Sequence, residues 1–229
     1  MATSGTSAFA LNIGEVIEEA FNQCGMKMKT GYDLTTARRS IDLMMLEWQN
    51  RGINFWTVEQ TSVTLTASAV SQTLETDTID IIEAFIRTGS GTSQVDLPMT
   101  RISSSEYSQV PSKNSQGRPV NFWLDKQLTA PVMYLWPVPD KGTYTLIYYK
   151  LRRIEDTGSL PGATDPDVPA RFLPALVSGL AYRISSKYPE LLPRRSDLKM
   201  EYAEQWELAL SGDRDRSSLR FVPGGYRNP

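Results

Sequence analysis

The 229-residue sequence contains no histidine and a single cysteine, Cys24. A Ser/His/Asp or Cys/His nucleophile system needs an imidazole to carry the proton, and the usual zinc sites need several imidazole or thiolate ligands. This composition supplies neither. One cysteine forms no disulfide within the chain, so a reducing host cytoplasm is the expected place of folding and assembly. No apolar run is long enough to cross a bilayer, and Met1 to Ala10 lacks the basic and apolar blocks of a secretory signal. Excess charge of one sign is missing too: 24 basic against 26 acidic residues leave a net charge of −2. That balance argues against a protein that coats nucleic acid through a broad basic face.

The chain is 40% apolar and has five tryptophans, enough to bury a sizeable core in one large or two small domains. Its 26 acidic residues leave carboxylate pairs and oxygen-ligand sites for calcium or magnesium chemically open, but no spacing singles out a pair. No catalytic residue, cofactor or metal site is therefore expected.

Helices are expected at both ends. Asn12 and Glu15 have capping-box spacing, and Ile13, Val16, Ile17, Ala20, Phe21 and Cys24 recur at helical period up to Gly25. Cys24 on that apolar stripe reads as a small buried hydrophobe. A second helix, capped by Asp33 and stopped by Gly52, carries Leu34, Ala37, Ile41, Met44, Met45 and Trp48. Leu43 and Leu46 widen its stripe past one face, which fits a bundle interior or a subunit contact. After the link Leu160 to Pro169, with Asp167 as cap and Pro169 in the first turn, Phe172 to Ile184 carries another apolar face. A last helix, Ser196 to Leu210, places Leu198, Tyr202, Trp206, Ala209 and Leu210 on one side, and Gly212 closes it.

Between Phe55 and about Leu151 the period changes to that of strands: Thr57 to Leu65, Ile79 to Arg87, Val120 to Leu124, Val132 to Trp136 and Tyr144 to Leu151. The stiff link Trp136 to Gly142 predicts a hairpin of the last two runs. Ser103 with Glu106 predicts a short helix ended by Pro111. The polar loop Ser112 to Pro119 carries Lys113 and Arg118.

The expected fold is α+β: a four-helix core from residues 1–54 and 152–212, a strand-rich module at 55–151, and an extended arm at 213–229. The arm has too little apolar content for a core of its own. Its Arg214, Arg216, Leu219, Arg220, Phe221, Val222 and Tyr226 are residue types that anchor interfaces.

Several strings, in order along most of the chain, carry a family resemblance: Ala37-Arg38-Arg39, Met44-Met45-Leu46-Glu47-Trp48-Gln49-Asn50-Arg51-Gly52-Ile53-Asn54-Phe55-Trp56, Gly117-Arg118-Pro119, Leu135-Trp136-Pro137-Val138-Pro139-Asp140, Val168-Pro169-Ala170-Arg171-Phe172, Gly179-Leu180-Ala181 and the Tyr202 to Trp206 helix. In this order the chain resembles the head-to-tail adaptor, or tail-connector, proteins of short-tailed bacteriophages. The resemblance implies a non-enzymatic virion protein at the head–tail junction, a twelve-copy ring between the portal and the tail tube or nozzle. Genomic DNA would pass its lumen without specific binding, and no membrane is involved. It further implies that residues 213–229 dock on the portal and that the strand-rich module, with Lys113 and Arg118, faces the tail. Two other classes stay open: a carboxylate-dependent cell-wall hydrolase drawing on Glu47, Asp80 or Glu83, and a sequence-independent DNA-packaging factor using Arg38, Arg39, Arg194 and Arg195. Solvated surface charge is the plainer reading of both sets.

Overall fold

The computed structural model describes residues 9, 11–28, 31–52, 55–158 and 164–213. The first helix, α1 (Ile13–Gln23), starts at the expected capping box: the Asn12 side chain accepts from the Glu15 N–H, and Glu15 accepts from the Asn12 N–H. Gly25 adopts the left-handed φ of +74° that ends it. The second helix, α2 (Gly31–Asn50), begins before Asp33, so Asp33 lies in the first turn and is not the cap. Its carboxylate accepts instead from the Tyr188 hydroxyl at 2.8 Å.

Ten strands and one short helix follow. In chain order they are β1 (Val58–Thr64), β2 (Ser71–Thr73), β3 (Thr78–Thr88), β4 (Val95–Pro98), β5 (Thr100–Arg101), α3 (Ser104–Gln109), β6 (Gln116–Gly117), β7 (Asn121–Asp125), β8 (Val132–Trp136), β9 (Val138–Pro139) and β10 (Thr145–Arg152). The Ser103/Glu106 capping box opens α3 as expected. One sheet has the order β1-β10-β3-β4 and is antiparallel; a second has the order β2-β8-β7-β5; β6 and β9 form a short parallel pair. The two larger sheets enclose one apolar layer: Ile81, Ala84, Ile86, Leu146 and Tyr148 face Phe122, Leu124, Met133 and Leu135.

The predicted hairpin of the last two runs does not form. Strand β8 pairs with β7 and β2, whereas β10 pairs with β1 and β3 in the other sheet. Pro137 and Pro139 have no N–H to continue a ladder. Val138 donates instead to the Ser115 carbonyl at 2.9 Å, so the link crosses between the sheets.

The helices close the chain. A 3-10 turn at Ala170–Phe172 leads into α4 (Leu173–Ser185), and another at Pro189–Arg194 leads into α5 (Arg195–Gly212). Asp167 does not cap α4, whose N-cap is Phe172; it pairs with Arg152 instead. Ten of the thirteen residues of α4 are buried, so it is largely enclosed by its neighbours. It packs against α1, α2 and α5. Their shared core joins Ile13 to Trp48 with Phe172 to Ala209. Gly179 permits the closest approach: a Cβ there would stand 2.6 Å from Met44 Sδ and 2.8 Å from Tyr202 Cε2. The molecule is α+β, with a helical core drawn from both parts of the chain and strands between them. Within the expected arm only Asp213 lies among the described residues; Arg214, Arg216, Leu219, Arg220, Phe221, Val222 and Tyr226 lie outside them.

Candidate docking surfaces

The bundle is fastened by aromatic groups at the C-terminal end of α2. Trp48, fully buried, lies 4.8 Å from Trp206 and 5.9 Å from Phe172 between ring centroids, and its Nε1 donates to the Tyr202 hydroxyl at 2.8 Å. Arg51 covers this cluster, its guanidinium 5.0 Å from the Trp206 ring and 5.7 Å from the Tyr202 ring. Glu47 joins Arg51 to Arg183. Burial would raise the Glu47 carboxyl, but the two guanidiniums outweigh it and hold it below the ordinary range.

Opposite this packed side, α2 presents an outward stripe at spacings of three and four: Tyr32, Thr35, Arg39, Leu43, Leu46 and Asn50. Leu43 is 59% exposed. Helix α5 presents a second stripe through Asp197, Met200, Glu204, Glu207 and Ser211, with Met200 65% exposed and Leu208 beside it. Leu210, expected on the packed side, is also exposed. The packed positions 198, 202, 206 and 209 leave residue 210 a turn-fraction outside the core.

Where bundle and strands meet, an open cleft of about 630 Å³ is lined by Asp42, Met45, Leu46, Thr129, Ile154 and Asp156, among others. Its walls are held by polar contacts. Thr157 donates through its N–H and its hydroxyl to Asp42 at 3.0 and 2.9 Å, and Arg38 donates to the Thr157 carbonyl at 3.0 Å. Asp167 receives Arg152 in a forked pair and the Glu155 N–H. Burial pushes the Asp167 carboxyl up, and Arg152 more than reverses that.

On the strand side, Lys150 is 2% exposed and points inward from β10. Glu59, Glu75 and Asp77 surround its ammonium. Burial would lower the lysine, and these carboxylates hold it above its usual value. Tyr148, one step inward on the same face, has a buried hydroxyl with no partner and is pushed up to about 12, chiefly by burial.

The outward face of the second sheet is covered by α3. Tyr107 stacks at 5.4 Å on Trp123, which stacks at 4.9 Å on Tyr134. Lys113 is exposed, but its ammonium donates to the Ser108 and Val110 carbonyls at the end of α3 and sits 5.5 Å from the Tyr107 ring. It therefore steadies the loop as well as offering charge. Arg118 is exposed beyond β6. The outward face of the first sheet carries a groove of about 610 Å³ among Val58, Gln60, Phe85, Ile147 and Tyr149. Leu128, at the turn between β7 and β8, is 98% exposed.

The carboxylates considered for hydrolysis are not brought together. Glu47 is on α2 and ion-paired; Asp80 on β3 is held by Lys126 and Arg101 at 2.9 Å; Glu83 lines the groove on the outward sheet face. Burial raises Asp80, but Lys126, the Ile81 N–H and Arg101 outweigh it and lower the carboxyl, the opposite of a general acid held protonated near neutrality. The arginine pairs do share one end of the bundle. Lys187 at the end of α4 reaches the Thr36 carbonyl and Ser40 near Arg38 and Arg39, and Arg194 reaches Gly25. Cys24 is buried and donates to the Ala181 carbonyl at 3.4 Å, and burial raises its thiol, so it is held inert. Among the described residues, no three His, Cys, Asp or Glu side chains are placed to hold a metal ion, and no helix is long and apolar enough to cross a membrane.

Sequence reasoning missed Lys150, Leu128 and the outward α5 stripe. A lysine in a strand reads as solvent-facing, and only its two apolar sequence neighbours at the same parity, Leu146 and Tyr148, signalled an inward face. In α5, Met200 and Leu208 fall outside the period of the core, which was the available signal.

A profile of the protein family described as SU10 adaptor protein matches residues 11–225. No curated protein matches the chain. Among solved structures it is similar to a chain from the neck of an empty GTA particle computed with C6 symmetry. The two are 11% identical, the match covers 82% of each, and the TM-score is 0.30, a likeness too loose to carry any statement about this chain.

Proposed function

Because this chain belongs to the SU10 adaptor protein family, we propose that it is a virion structural protein that joins the portal of a DNA-filled head to the tail tube or nozzle. Twelve copies form a ring at the head–tail junction, assembled in the host cytoplasm, and the genome passes through its lumen. The observation that carries this reading is the extent of the family match, which runs through both helical parts and the strands between them. The outward stripes of α2 and α5 support it, because a monomer gains nothing from exposed Leu43, Leu46, Met200 and Leu208. So does the near-neutral charge: phosphate binding grows with the number of lysine and arginine contacts, and a conduit works by not gripping DNA.

Residues 213–229 are the portal-docking arm, with Arg214, Arg216, Leu219, Arg220, Phe221, Val222 and Tyr226 as anchors. Its root is fixed, since Asp213 pairs with Arg171 at the end of α5. The strand-rich module, residues 55–151, faces the tail, with Lys113 and Arg118 on its exposed loop. A ring docked on a ring multiplies each weak contact through equivalent sites. Particles made without this protein are expected to carry packaged heads and no tails; normally tailed particles would overturn the reading. Deleting residues 214–229 is expected to sharply reduce retention on portal-bearing heads, and undiminished retention would overturn the arm's role.

A DNA-packaging factor is the second reading, favoured by one observation, the gathering of Arg38, Arg39, Arg194 and Arg195 at one end of the bundle. A salt-dependent mobility shift of DNA by the free protein would favour it; the conduit predicts none.

A further inference from the structure

We propose that the contact between neighbouring copies is made by the outward stripe of α2 on one copy against the outward stripe of α5 on the next, with the bundle helices along the ring axis. The inference rests on the ring reading above. A ring needs a heterologous contact, in which two different surfaces of the same chain complement each other. The two stripes qualify. Both α2 and α5 pack on α4, and each turns its exposed stripe away from the core they share.

Their chemistry is complementary. The α2 stripe sets Arg39 one turn before Leu43 and two before Leu46, beside Lys187, whose ammonium burial depresses first, with Arg183 and Arg39 adding to the effect. The α5 stripe sets Asp197 one turn before Met200 and follows it with Glu201, Glu204 and Glu207. Among the described residues, Arg39 has no carboxylate partner, and Asp197, Glu201, Glu204 and Glu207 have no basic partner. Charges of opposite sign are thus left open on opposite stripes, each beside exposed apolar side chains.

Symmetry fixes the register. Rotation about a ring axis moves no residue along that axis, so groups at equal height meet their neighbour's groups at that height. Heights are set within one chain by Gly179, which touches both Met44 and Tyr202; Trp48, one turn further along α2, reaches the Tyr202 hydroxyl through the length of the two side chains. Helices α2 and α5 both run antiparallel to α4: Lys187 near the end of α4 reaches Thr36 early in α2, and Arg195 at the start of α5 lies over Tyr182. They therefore run in the same direction. Five residues before the Met44 and Tyr202 level, Arg39 stands level with Asp197, and just before that level Leu43 and Met200 stand within about 1.5 Å of the same height.

Disulfide trapping in assembled particles tests this, because the native Cys24 is only 2% exposed and stays out of the reaction. Particles carrying L43C together with M200C should give a ladder of covalent multimers on non-reducing gels, since a disulfide needs Cβ atoms within about 4.5 Å. L43C with L208C, two turns or about 12 Å further along α5, should give none. A ladder from L43C with L208C, or dimers from L43C alone, would overturn the register or the heterologous contact. In parallel, R39E should lower the yield of rings by about tenfold, and R39E with D197R should restore it. If microscopy shows a ring but neither trapping nor charge exchange behaves this way, the interface is wrong and the ring stands. If no ring is present, both fall.

Discussion

The helical bundle and the strand sandwich solve the same problem in opposite ways. The sandwich settles most of its charges and one outward sheet face within the chain: Glu59, Glu75 and Asp77 enclose Lys150, Lys126 and Arg101 hold Asp80, and α3 lies over the Trp123 and Tyr134 rings. The bundle closes its core around Trp48, Phe172 and Trp206, yet leaves apolar stripes and unpaired charges on α2 and α5 turned outward. The difference teaches where association should be sought. Contact between copies should be sought at the uncompleted stripes of the bundle, which leaves the exposed loops of the sandwich to a different component.

The largest effect should fall on the bundle. Trp48→Ala removes a fully buried indole and orphans the Tyr202 hydroxyl, and should lower stability by about 3 to 5 kcal/mol in chemical denaturation. If the melting temperature does not move, Trp48 belongs to an interface and the contrast collapses.

Lys150→Ala sharpens the other side. It leaves three carboxylates facing an empty site, but all three are 41–54% exposed and water screens them, so the loss should be about 2 kcal/mol. Ring assembly should survive it, and loss of rings at unchanged stability would show that the sandwich also makes the subunit contact.

Acid should act at the junction between the two. The Asp167 carboxyl is held below its unfolded value of about 3.9. A depressed carboxyl contributes stability that is fully present above the unfolded value and is lost as pH falls through the folded one. Urea denaturation followed from pH 6 to pH 3 should therefore be steeper for the native protein than for Asp167→Asn. Parallel slopes would remove Arg152–Asp167 as a pH-sensitive clasp.

The smallest stability effect belongs to the loop. Alanine at both Lys113 and Arg118 should lower stability by no more than about 1 kcal/mol, the loss falling on the Lys113 contacts with the end of α3, while weakening attachment of the next tail component. If portal attachment fails instead, the strand module faces the head.

Local signals were legible in the sequence. The Asn12/Glu15 and Ser103/Glu106 capping boxes predicted the starts of α1 and α3 because donor and acceptor lie three residues apart. The strand runs were readable from their composition, down to the alternation that sends Phe122 and Leu124 inward. Partners distant along the chain were not legible. Asp33 and Asp167 have the residue type of caps, but Tyr188 and Arg152, 155 and 15 residues away, claim their carboxylates. In β3 the adjacent Ile82 and Glu83 both face out because the register shifts there: Tyr149 opposes Glu83 and Lys150 opposes Ile81. No period-2 reading places that bulge. The crossing of Trp136 to Gly142 between sheets depended on which strands would flank β10, a choice made by the sandwich core and not by the link. At the docking surfaces, the breadth of the α2 stripe was visible through Leu43 and Leu46, while its counterpart on α5 required knowing which side faced α4.

The most direct test of the central claim is electron microscopy of particles that contain this protein, reconstructed along the tail axis with symmetry determined freely. The account predicts a ring of twelve copies immediately below the portal, with α2 of each copy against α5 of the next and the sandwiches toward the tail. Density for the protein elsewhere on the particle, or single copies without a ring at the junction, would contradict it.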